Sequence, residues 1–201
     1  MHLLCRKDST GEGKILHSLT FGYDSGIIGV YERRMSMVLR KMLGSVDHPQ
    51  IVRLMRLIET QSKNTLAVFT AEYVAAHYLP IAQDEILSAA VEAVRAHLKG
   101  ELPLKELKPL LKAARTAAQE EKYPARQAAK RAIATAVATI VTPTNSLGFA
   151  FYGAAAYAYH TTTDAALHDD LATEELTRIA DALQAASIPD EPNPVQVDWG
   201  C

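Results

Sequence analysis

Asp84–Gly100 reads DEILSAAVEAVRAHLKG, and its spacing decides the fold class. Ile86, Leu87, Ala90, Val91, Val94 and Leu98 return every three or four positions, which predicts one apolar stripe along an α-helix. Asp84 and Glu85 fall in the first turn, where the positive end of the helix dipole favours acids. Lys99 and Gly100 close the helix, matching the negative end and the usual glycine stop. Outward from this segment the same period recurs. Downstream, a helix is expected from Leu104 to Glu121, with Pro109 marking either a kink or a later start. Pro124 opens another through PARQAAKRAIATAVATIV, a further one begins near Asn145, and a last near Ala165 or Leu171. Upstream, Asn64 or Thr65 caps TLAVFTAEYVAAHYL, which Pro80 ends, and Asp47 precedes HPQIVRLMRLIET. Tyr31, Met35, Val38, Leu39 and Met42 share one helical face and predict another helix, stopped at Gly44.

The expected fold is all-α, a compact bundle of about seven to eight helices rather than a solenoid, because no fixed repeat is found. Seven alanines lie between Ala125 and Ala138 and five between Ala150 and Ala158, so the later helices should approach one another closely. Residues 1–30 differ: KILHSLTFGYDSGIIGVYE places two short β-prone runs around a GYDSG turn and suggests a hairpin. The division expected is an N-terminal extension over 1–30, a helical domain over 31–187 and an extended tail or strap over 188–201, where SIPDEPNPVQVDWGC carries three prolines.

Of the 201 residues, 48% are hydrophobic and 22% charged, enough to bury a core and unlike a disordered chain. Net charge is −2, which offers no global field for nucleic acid or an anionic membrane. No apolar run reaches the ~18 residues of a spanning helix. Cys5 and Cys201 make no disulfide framework, and MHLLCRKDSTGEGK has the wrong order for a secretory signal; a cytoplasmic location is the expectation.

Four constellations could carry function. In IVTPTNSLGFAFYGAAAYAYH, Pro143 ends one helix and Thr144, Asn145 or Ser146 caps the next. The freed amides could alternatively bind an anion, making the Pro143–Tyr152 corner an enzymatic or small-ligand site. Tyr152 and Tyr159, with Thr144 and Asn145, are candidate contact residues, since amphipathic rings suit protein interfaces. His160, Asp164 and His168 stand at i, i+4 and i+8 and could hold a metal on one unbroken helix. TTTD supplies caps, however, so the helix should break there with Asp164 as N-cap. Arg33, Arg34, Arg40, Lys41, Arg53 and Arg56 gather positive charge, and the C-terminal section is correspondingly acidic. Charge pairing within the protein or between subunits explains them better than a nucleic-acid surface over Arg33–Arg56, since no recognition motif accompanies them. No nucleophile, Walker or zincin signature is present, and no cofactor or metal is expected. His77 reads as a boundary residue.

AEYVAAHYLPI, AAVEAVRAHLKGEL, LLKAARTAAQEE and the run from Ala125 to Ala158, taken in order, resemble the immunity-five-like helical domain of bacterial polymorphic toxin systems over about residues 65–160. Val141 and Asn145 stand where that family tends to carry histidines. The resemblance implies an intracellular protein-binding inhibitor, its partner a toxin. Alanine-rich faces and Met35, Met37, Met42 and Met55 would also suit pairing of two copies.

Overall fold

The computed structural model describes residues 39–199, of which Leu39–Asp198 form a compact unit by themselves. The expected hairpin, Arg33, Arg34, both cysteines and the expected helix as far as Val38, with Met35 and Met37, lie outside the described residues. Within them the elements are α1 (Pro49–Ile58), α2 (Lys63–His77), α3 (Leu79–Ala82), α4 (Glu85–Leu98), α5 (Leu104–Glu120), α6 (Pro124–Val137), α7 (Asn145–Thr161) and α8 (His168–Ala186). Single 3-10 turns span Ala138–Ile140 and Ala165–Leu167. No strand occurs among the described residues, and the fold is all-α.

Local chemistry explains the boundaries. Asp84 caps α4 by accepting from the Ile86 and Leu87 amides at 2.9 and 3.2 Å, and Pro49 and Pro124 sit where a missing N–H costs nothing. The cap of α2 is Ser62, not Asn64 or Thr65; its hydroxyl takes the Thr65 amide at 3.2 Å. Along α4, Leu87, Ala90, Val91 and Val94 are fully buried, whereas Ile86 is 50% exposed, so the stripe is narrower than expected. α5 runs unbroken through Pro109; the carbonyl deprived of a partner belongs to Lys105, and both residues are exposed to water. Leu39–Gly44 is not helical. The Leu43 amide donates to the Phe151 carbonyl of α7 at 3.2 Å and Gly44 adopts φ +100°, so burial of Leu43 overrides the helical period there.

α7 is apolar all round and forms the centre, packed chiefly on α6 and α8. Both helices bury runs of alanine, Ala128, Ala129, Ala132 and Ala136 on α6 and Ala150, Ala154 and Ala158 on α7. A Cβ at Gly148 would lie 3.2 Å from Thr135 Cγ2, which shows how closely the two helices approach.

One buried ionic cluster locks three elements. Lys130 of α6 is 8% exposed and its ammonium meets Asp84 at 2.7 Å and Glu121 at 3.2 Å. Glu121 also takes the Lys122 and Tyr123 amides and pairs with Arg126 at 3.0 Å. Burial raises the carboxyl pKa of Asp84 and Glu121, but Lys130 and the amide donors outweigh it, and both end below their ordinary values. Their contribution is therefore complete above the usual carboxylate range and is lost as pH falls through the lowered values. Lys130→Met should cost about 3 kcal/mol at neutral pH, because Asp84 loses its counter-ion and buried Glu121 is left with the half-exposed Arg126 alone. Urea unfolding at pH 7 and pH 3 checks this: the deficit should shrink in acid.

After α8 the chain returns as a strap. Gln61, buried, exchanges hydrogen bonds with Ile188 through its side chain and takes the Val195 amide on its carbonyl at 2.9 Å. Glu191 accepts from the Ser62 amide at 2.7 Å and from the Thr65 hydroxyl, clasping the start of α2.

Candidate functional site

α8 packs on α7 and α1, and α2 packs chiefly on α4 and α6, which leaves a groove between α2 and α8. Its α2 wall is Asn64, Thr65, Val68, Phe69, Glu72, Tyr73, Ala76 and His77, one face at helical spacing. Ala182, Ala186 and the strap residue Ile188 form the other wall, and the volume is about 560 Å³. Phe69 and Tyr73 make an aromatic floor, tied to Phe149 of α7 by edge contacts at 6.2 and 6.0 Å between centroids. Val68 and Ile188, 47% and 49% exposed, stand on opposite rims. Glu72 is held outward by a two-pronged pair with Arg95 of α4 at 2.7 and 2.6 Å. His77 lies against Tyr73, ring centroids 4.4 Å apart and tilted by 39°, at the end of α2.

Behind the floor sits Glu175 of α8, 2% exposed. One carboxylate oxygen accepts from the hydroxyls of Tyr78 at 2.6 Å and Tyr73 at 3.1 Å, and the other pairs with Arg178 at 3.0 Å. Arg178 lies 3.9 Å over the Tyr157 ring and so carries the cluster to the surface. Burial pushes the Glu175 carboxyl up, and the Tyr78 hydroxyl, Arg178 and Tyr73 only partly restore it. The two phenols are raised by burial and then by the carboxylate, so both stay protonated donors. Imidazole, hydroxyl and carboxylate thus adjoin, but Tyr73 lines the groove and Glu175 does not. The carboxylate is screened from any groove occupant, so the cluster orients Tyr73 rather than offering a base.

The family model described as Imm-5 like putative immunity protein matches residues 56–186, more than half of the chain and nearly the whole of the bundle. The chain belongs to this family. No curated protein and no solved structure matches it. In this Imm-5-like chain the matched span takes in every groove residue except the strap's Ile188, and the Glu175 cluster behind it.

The residues singled out from sequence are scattered over the Imm-5-like bundle. Thr144 caps α7 by position with no side-chain bond, and Asn145 begins it. The amides of Asn145, Ser146, Leu147 and Gly148 all donate to backbone carbonyls at 2.9–3.2 Å, which takes up the donors an anion would need. Tyr152 is buried, and the Tyr159 hydroxyl donates to the Arg40 carbonyl at 2.6 Å. α7 stops at Thr161 and Asp164 caps the following 3-10 turn, so His160 and His168 fall on separate helices; His168 packs edge-on against Tyr159. No group of three metal-ligating side chains occurs among the described residues. Arg53 pairs with Asp181 of α8 at 2.6 Å and also meets Gln184; Arg40 pairs with Asp169. These bonds realise the expected charge pairing between the basic and acidic sections, while Arg56 stays exposed. No helix among the described residues is long and apolar enough to cross a membrane.

Proposed function

We propose that this family member is an immunity protein that acts in the cytoplasm by binding and neutralising a protein toxin, with the α2–α8 groove as part of the contact. The family match over residues 56–186 carries the reading. The groove supports it: aromatic residues held rigid from behind, small alanines opposite, and exposed Val68 and Ile188 at the rim are what a partner's apolar anchors need. The scattered contact candidates Tyr152 and Tyr159 contribute less on this reading, since their rings serve the fold.

The test pairs the chain with toxin domains encoded beside its gene. Co-expression should restore growth and yield a stable complex. Val68→Arg, which sets a charge on the rim, should weaken that complex at least tenfold while leaving the melting temperature within a degree or two. Turnover of a small molecule in place of any complex would overturn the proposal.

A further inference from the structure

α5 packs chiefly on its neighbours α4 and α6, and most of its surface faces solvent. Lys105, Lys108, Lys112 and Arg115 lie on that surface at i, i+3, i+7 and i+10, which places all four within one narrow stripe about 15 Å long. All four are exposed, and none pairs with an acid among the described residues. Elsewhere Arg40, Arg53, Arg95, Arg126, Lys130 and Arg178 each meet a carboxylate, while the other cations without a salt bridge, such as Lys41, Arg56 and Lys99, stand apart on separate elements; α5 gathers four on one face. Along the stripe, Lys105–Lys108 and Lys112–Arg115 are like charges three apart, and Lys108–Lys112 four apart, so the helix is opposed by repulsion that its own acids do not relieve. Glu106 and Glu120 project from the other side of its outer surface. Leu104, 38% exposed, and half-buried Leu111 border the cations, four residues before Lys108 and Arg115 respectively.

We propose that this stripe is a docking surface for an acidic face of a partner protein, one presenting carboxylates along a single helix or strand edge with an apolar residue beside them to meet Leu104. The idea rests on the protein-binding reading above and names the charge of the partner. Charge complementarity favours a protein over other polyanions. Among the described residues no exposed aromatic side chain interleaves with the four cations to stack on bases, and beside the stripe only Leu104 and Leu111 offer apolar surface, too little to enter a lipid surface. Such a stripe would act mainly on encounter, raising the association rate at low salt.

The experiment compares the wild-type chain with K108E/K112E and with the neutralised K108Q/K112Q in stopped-flow association with the toxin domain that co-purifies. A polyglutamate peptide, a DNA duplex and anionic phosphatidylserine vesicles serve as direct probes. Charge reversal should slow association about tenfold or more at low ionic strength, neutralisation should slow it less, and both differences should vanish toward 0.5 M salt. Polyglutamate should bind the wild-type chain and not the reversed one. Unchanged association in K108E/K112E, or tighter binding of DNA or vesicles than of polyglutamate, would overturn the proposal. Val68→Arg separates the two readings. If that variant loses the toxin while K108E/K112E keeps its rate, the groove stands and the stripe falls.

Discussion

Gly153→Ala should destabilise the bundle by about 3 kcal/mol, roughly 10 °C in melting temperature for a protein of this size. A methyl group at this position would lie 2.1 Å from the Tyr78 hydroxyl oxygen and 2.6 and 2.8 Å from two carbons of its ring. Tyr78 cannot swing aside. It is 1% exposed and its hydroxyl is committed to Glu175 at 2.6 Å. Either α7 retreats from α2 and α3, or the phenol abandons the carboxylate and leaves it short of a donor. Adding Tyr78→Phe removes only the closest of the three contacts, because the ring carbons remain. The double variant should stay well below wild type, with a coupling between the two sites that departs from additivity by 1 kcal/mol or so. Urea titration of the four proteins measures this. A stability of Gly153→Ala within 0.5 kcal/mol of wild type would show that the close approach is not there.

Glu175→Ala should cost about 3–5 kcal/mol at neutral pH, because it strands two buried hydroxyls, leaves Arg178 without its enclosed partner and opens a void. Glu175→Gln keeps an acceptor for the phenols and should cost much less. The pH dependence runs opposite to that of the Lys130 cluster. Since the folded-state carboxyl is raised, the folded chain binds this proton more tightly than the unfolded chain does. Its contribution is complete below the ordinary glutamate value of 4.5 and falls as pH rises through the raised one. Relative to Glu175→Gln, the wild type should thus gain stability when acidified through the window just above pH 4.5, before loss of the Asp84 and Glu121 pairs unfolds both. A wild-type advantage that grows instead with rising pH would contradict the burial argument.

The helical architecture was legible because its signals are local: the Asp84 cap, Pro49, Pro124 and the three-and-four spacing of Leu87, Ala90, Val91 and Val94 act within one or two turns. The break before Asp164 was legible for the same reason. What misled was burial decided by distant partners. Leu39–Gly44 has a helical period but is drawn onto Phe151, and Ile86 has the phase of the stripe but faces out. The groove was not legible, because it exists where α2 and α8 fail to pack, and no single segment records a gap. The Glu175 cluster did leave a trace. Glu175 falls in phase with Ala172, Leu176, Ile179 and Leu183 on the buried face of α8, and an acid in that phase requires enclosed donors. Tyr73 and Tyr78 read as ordinary aromatic positions until a carboxylate is set against them.

The strap gives this protein a built-in clock for release of its tail. The Val195 amide is fastened to the Gln61 carbonyl, so its exchange with heavy water follows the fate of the tail, while the helical amides follow the body. Recording both sets of amides as a deuterated sample is warmed resolves whether the strap peels away before the body melts, with no dye or label attached.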